Sequence, residues 1–208
     1  MEPADPSSDV LERLEQAERL KLDAKHSDAL VILEQLLLED PENVSALEEV
    51  ADNELSLGHY ERAETAAARA VALDCESYTG EYILGFLRSR DELWRESAAH
   101  LCKANHLKSN NPEILRCLGW ALFNAGERAQ GVVTMERALN LDSESTLTLC
   151  DLGVAYMHVR HIAKAKALFL RALDIEPGNP RACECVQMLE KLQTMLLQQK
   201  TQAQVPVK

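Results

Sequence analysis

Long apolar runs are missing from this 208-residue chain. No stretch approaches the roughly 20 apolar residues that cross a bilayer. The segment Met1–Asp9 is acidic and polar, without a basic region leading into an apolar one, so no secretory leader or Arg-rich transit segment is expected. Aromatics make up only 4% of the residues, and glycine (8) and proline (7) are scarce. These shortages argue against a strand- and turn-rich architecture, which draws on aromatic residues and on Gly/Pro turns. There is no basic excess either. The 34 acidic and 22 basic residues give a net charge of −12. That argues against a nucleic-acid or anionic-membrane binder, because phosphate neutralisation needs clustered Lys and Arg.

Chemical motifs are also missing. No G-x-x-x-x-G-K-[ST] or G-x-G-x-x-G loop is present to cradle phosphate, and no H-E-x-x-H or G-x-S-x-G occurs. Of the six cysteines, only Cys183 and Cys185 are close in sequence, and no second Cys/His pair has zinc-site spacing. His158 and His161 lack a carboxylate at a companion spacing. The acid-rich stretch Glu34–Glu49 lacks calcium-loop spacing and its glycine. No catalytic residue, metal or cofactor is expected, and the thiols read as reduced in a cytoplasmic protein.

What remains is aliphatic: the apolar fraction is 46%, carried by Leu, Ala and Val. With so few aromatics, this composition suits close packing of helices through small residues. Charge is uneven. Residues 1–77 hold 20 acids and 6 bases, whereas residues 78–208 hold 14 acids and 16 bases. The whole acidic excess therefore lies in the N-terminal third.

The aliphatic residues recur with a fixed period. Leu84-Gly85, Leu118-Gly119 and Leu152-Gly153 are 34 residues apart, as are Ala70, Ala104, Ala138 and Ala172. Five units tile the chain: 10–43, 44–77, 78–111, 112–145 and 146–179. The last contains Leu149, Leu152-Gly153, Tyr156, Ala165, Phe169, Ala172 and Pro177. Small residues recur at unit position 8 (Ala17, Ala51, Gly85, Gly119, Gly153) and at position 20 (Ala29, Ala63, Ser97, Gly131, Ala165). Glycine in a helix costs about 1 kcal/mol relative to alanine, so its recurrence at position 8 implies close packing. The first unit has Gln16-Ala17 in place of Leu-Gly, as terminal repeats often depart from the pattern.

On these residues the chain resembles the tetratricopeptide repeat family over residues 10–179. The resemblance implies an all-α fold: a right-handed α-solenoid of five helix-turn-helix repeats. Residues 180–200 read as a capping helix, with Asn179 as N-cap, Pro180 in its first turn, and a stripe of Val186, Leu189, Leu192, Leu196 and Leu197. Residues 1–9 and 201–208 read as disordered tails.

The resemblance also implies a non-catalytic interaction module whose first helices line a concave groove at roughly positions 2, 5, 9 and 12. Those positions carry acids in the second unit (Glu48 and Asp52, with Glu49 adjacent) and aromatics in the third (Tyr82, Phe86). The fourth unit offers Arg116, Trp120 and Phe123, and the fifth Met157. These nine residues are the candidate partner-binding set. Phe86 and Trp120, one period apart, are expected on one wall. They either hold apolar anchors of a partner or pack internally. Tyr60 and Trp94 fall at position 17, a structural aromatic position in this family, and are expected in the core.

Chaperone-binding members hold a terminal carboxylate with a clamp of Lys, Asn, Asn, Lys and Arg. The matching positions in the first three units are Leu14, Glu18, Glu49, Thr79 and Ile83, and the other two frames depart as far, so no clamp is expected. The expected partner is a protein or peptide segment with basic and apolar residues, gripped by an adaptor or assembly chaperone that is a monomer or weak homodimer. The alternatives are a self-associating structural subunit and a small acidic secretion-type chaperone of the same repeat kind.

Overall fold

The computed structural model describes residues 6–203. Eleven helices occur among them: α1 (Pro6–Leu22), α2 (His26–Glu39), α3 (Val44–Ser56), α4 (Tyr60–Leu73), α5 (Tyr78–Arg90), α6 (Trp94–Leu107), α7 (Pro112–Asn124), α8 (Arg128–Leu141), α9 (Thr146–His158), α10 (Ile162–Ile175) and α11 (Pro180–Ala203). No described residue is in a strand. The chain divides into two compact units, residues 1–109 and 110–208. In the first, α1/α2, α3/α4 and α5/α6 pair as antiparallel hairpins. In the second, α7/α8 and α9/α10 do so, and α11 packs on α10 and α9.

Local chemistry sets the helix ends. Asn43, Ser77, Asn111, Ser145 and Asn179 stand one period apart, and each side-chain oxygen accepts from the backbone N–H three residues on, at 3.0–3.2 Å. Such N-caps are each worth about 1 kcal/mol. The turn inside each hairpin is left-handed at a fixed register: Ala24 (φ 58°), Gly58 (77°), Glu92 (59°), Gly126 (102°) and Arg160 (62°). The following N–H reaches back five residues, as in Lys25 N to Leu20 O at 2.8 Å and His161 N to Tyr156 O at 2.9 Å. This is the Schellman closure. Only two of these five turns carry the glycine that adopts the conformation without strain.

Packing explains the small residues. A Cβ on Gly85 would come within 2.6 Å of Leu101 Cγ, and one on Gly153 within 2.6 Å of the Phe169 ring. The large side chain of the second helix thus fills the space that the glycine of the first leaves. Gly119 and Gly131 let the backbones of α7 and α8 approach each other, since each faces the other's backbone carbonyl. Ser97, fully buried, donates to Gly85 O across the third hairpin at 2.8 Å. Arginines staple second helices to preceding loops, again at one register: Arg69 to Pro41 O (2.7 Å), Arg171 to Ser143 O (2.7 Å), and Arg137 to Asn110 Oδ1.

Three sequence expectations need correction. Tyr60 is not core: it is 37% exposed, with the Arg90 guanidinium 3.9 Å above its ring. Trp94 is only half-buried. Both open their helices, where the hairpin end meets solvent. Third, residues 6–9, placed in a tail, already belong to α1, and α11 runs on to Ala203. The remaining tail residues, 1–5 and 204–208, lie outside the described residues. In the expected stripe of α11, Leu189 is buried and Val186 half-buried. Leu192, Leu196 and Leu197 lie outside the residues whose side chains are described.

Candidate interaction surface

In the first unit the first helices α1, α3 and α5 are neighbours. The acids expected to meet a partner are already engaged there. Lys21 of α1 donates to both oxygens of Glu49, at 3.1 and 2.8 Å, and to Asp52 Oδ2 at 3.0 Å. Burial would lower the Lys21 pKa, but the two carboxylates outweigh it and the pKa is raised. Glu48 accepts from Ser77 Oγ at 2.6 Å. Burial pushes its pKa up, against that hydrogen bond, and the nearby Asp74 and Glu49 add to the rise. The acidic trio is therefore not an open patch: Glu49 and Asp52 share one internal ammonium, and Glu48 braces the loop before α5. Tyr82 and Phe86 are half-buried and pack against the core of this unit.

In the second unit the corresponding face belongs to α7, α9 and α11. Asp151, only 4% exposed, receives Arg116 Nη1 at 2.6 Å and Arg181 Nη1 at 2.5 Å. Arg116 also grips Glu113 through Nε (2.9 Å) and Nη2 (2.5 Å). Its guanidinium is 13% exposed, and every nitrogen has an acceptor. Arg116 therefore ties α7 to α9 rather than standing open. Beside this network the Trp120 ring is half-buried, with the Arg181 guanidinium 5.7 Å from its centre. Met157 is likewise half-buried against the core of this unit.

Phe123 departs from expectation. It is 5% exposed, with Trp120 stacked at 6.4 Å, His158 edge-on at 6.0 Å and Arg128 at 5.9 Å. The physical cause is Gly131, whose missing side chain lets the backbone of α8 close onto the end of α7. Phe123 is a core residue, and Trp120 is the ring left at the surface.

Two charged residues on these faces escaped the sequence reading. Lys21 occupies position 12 of the first unit, a groove position that was read only from the second unit onward. Arg181 belongs to the capping helix, beyond the five units whose groove positions were read.

No cluster of three His, Cys, Asp or Glu side chains among the described residues could hold a metal ion. His158 and His161 face different rings, Phe123 and Tyr156. Burial pushes the Cys117 thiol up to about 12, so it is held protonated and unreactive. A cavity of about 440 Å³ lies beside Tyr156 among Glu136, Leu139, Leu152, Lys164 and Leu168. No described helix is long and apolar enough to cross a membrane.

Comparison with known proteins agrees with this architecture. Residues 148–179 match the model of the tetratricopeptide repeat. No curated protein sequence matches the chain. Among solved structures, pilF of Pseudomonas aeruginosa is similar, at 16% identity and a TM-score of 0.72 over 87% of this chain and 82% of that one. TTC0263, a thermophilic TPR protein of Thermus thermophilus, is 19% identical, with a TM-score of 0.66 over 86% and 97%. YrrB, a TPR protein with an unusual peptide-binding site, is 19% identical, with a TM-score of 0.65 over 89% and 100%. The last repeat thus matches the tetratricopeptide repeat in sequence, and the helical hairpins share the fold of tetratricopeptide repeat proteins of known structure.

Proposed function

We propose that the protein is a non-catalytic interaction module, an adaptor or assembly chaperone, that grips a segment of a partner protein along the faces of its first helices. The observation that carries this reading is Trp120. In a chain with only two tryptophans, this one is left half-buried at the surface, while the neighbouring Phe123 is fully packed. A large ring at the rim of a rigid helix pair buries much area at low rotamer cost, which is how binding hot spots work. Met157, on α9, adds an adaptable apolar surface. In the first unit, Tyr82 and Phe86 supply further rings. Glu49 and Asp52 hold Lys21 and keep one negative charge in excess, which favours a basic partner residue. Glu48 and Arg116 shape these faces from within. The peptide-binding site described for YrrB, which has a similar fold, supports the reading by analogy.

Selection of displayed random peptides on the purified protein tests it. Peptides with apolar residues should be enriched, with basic residues in those that bind the first unit, and Trp120→Ala should weaken those that bind the second by about 2 kcal/mol or more, roughly 30-fold. If Trp120→Ala lowers the melting temperature and leaves affinity intact, the ring serves packing and the proposal falls.

A further inference from the structure

The two units differ in charge. Residues 1–109 hold 24 acids and 11 bases, whereas residues 110–208 hold 10 acids and 11 bases. A single preference for basic partners does not follow for both. At the surface ring of the second unit, a guanidinium lies 5.7 Å from the ring centre. We propose that Arg181 is a receptor for a carboxylate side chain of the partner, placed next to the apolar residue that Trp120 anchors. The proposal rests on the reading of Trp120 as an anchor and specifies what accompanies that anchor.

The geometry separates Arg181 from Arg116. Both donate to Asp151, which at 4% exposure cannot take a third partner from solvent. Arg116 spends its other nitrogens on Glu113 and is 13% exposed. Arg181 gives Asp151 only Nη1, is 42% exposed, and has no acceptor for Nε or Nη2 among the described residues. The buried carboxylate thus fixes the guanidinium and leaves its other edge facing outward. A second carboxylate can dock on that edge through two parallel N–H···O bonds, the fork geometry that suits arginine. Because Asp151 and Trp120 already hold the side chain, little rotamer entropy is lost when it binds. The ring under the guanidinium supplies a dry floor for the neighbouring apolar side chain.

The test uses the full chain with Trp94→Phe, so that fluorescence reports Trp120 alone. The probes are short peptides, acetylated and amidated to remove terminal charges, that alternate leucine with glutamate, glutamine or lysine. The glutamate peptide should bind at least about tenfold more tightly than the glutamine peptide, as expected for hydrogen bonds between charged groups. Arg181→Gln should abolish that ratio while leaving glutamine-peptide binding in place. Arg181→Lys, which keeps the Asp151 ion pair and hence the docking of α11, should reduce the ratio without abolishing it. Equal affinities for the glutamate and glutamine peptides on the parent, tighter binding of the lysine peptide, or a preference that survives Arg181→Gln would each overturn the role of Arg181 while leaving Trp120 as an anchor. If no peptide changes Trp120 fluorescence, the anchor and this inference fail together.

Discussion

Substituting Gly131 with alanine adds one methyl group where the backbones of α7 and α8 meet. Its Cβ would lie 2.6 Å from Gly119 O, 2.6 Å from Phe123 N and 2.8 Å from Phe123 Cβ, where ordinary contact begins near 3.4 Å. Two of these neighbours are backbone atoms, so no rotamer change relieves them, and α7 and α8 must separate by several tenths of an ångström. Overpacking of this kind costs roughly 1–3 kcal/mol. Against it stands the gain of about 1 kcal/mol from replacing glycine inside a helix. With two backbone atoms of α7 in the way, the cost lies at the upper end, and the net destabilisation should be about 1–2 kcal/mol. For a chain of this size that lowers the melting temperature by roughly 3–6 °C. Gly178→Ala is the control, because nothing lies within 4 Å of its Cβ and the melt should not change. Thermal circular dichroism measures the shift. Amide hydrogen exchange places it, since a repeat array need not melt as one body, and protection should fall in α7 and α8 first. If Gly131→Ala melts at or above the parent, the close approach of these helices is not what the glycines serve.

Two further outcomes test the turn register and the second unit. Arg160 is a non-glycine residue held at φ 62°. Arg160→Gly should therefore raise stability by about 0.5–1 kcal/mol, the left-handed strain relieved less the added freedom of the unfolded chain. A fall in melting temperature would show that the Arg160 side chain contributes more than its backbone strain costs. The Tyr156 phenol is pushed up to about 12 by burial and by the Glu136 carboxylate. Between pH 10 and 12 the unfolded chain loses a proton that folded Tyr156 keeps, so stability falls as pH rises through that window. Tyr156→Phe should flatten this part of the alkaline stability profile. Absorbance titration of the parent should also show one tyrosine ionising late, and a profile unchanged by the substitution would contradict the assignment.

Periodicity carried the fold into the sequence because packing between helices repeats with the chain. The glycines at 85, 119 and 153 meet Leu101, Met135 and Phe169 as their register implies. The candidate faces were less legible, since a period says which side of a helix a residue occupies and nothing about what reaches it from elsewhere. Lys21 meets Glu49 and Asp52 across 28 and 31 residues, and Arg181 meets Asp151 across 30. Long flexible cations extend several ångströms beyond their own helix, so their partners follow from three-dimensional placement alone. Phe123 was misplaced for a related reason. The equivalent residues Lys21, Leu55, Ser89 and Met157, opposite Ala or Ser, are half-buried, whereas Phe123, opposite Gly131, is buried.

The same register bears on how copies of the protein could meet. In α3, Ala46, Val50 and Asn53 are buried, and one period later in α5 so are Gly80, Leu84 and Leu87. The equivalent residues of α1 are Glu12, Gln16 and Arg19, all exposed. Docking a second copy on that face would bury a carboxylate, an amide and a guanidinium where the other helices bury small or apolar groups and the hydrogen-bonded amide of Asn53. Each buried charge left without a partner costs several kcal/mol, more than the flanking aliphatic carbons recover at about 25 cal/mol per Å². These exposed polar residues therefore make that face of α1 a poor apolar docking surface. A surface for binding is better sought where rings are left part-exposed, at Phe86 in the first unit and at Trp120 in the second.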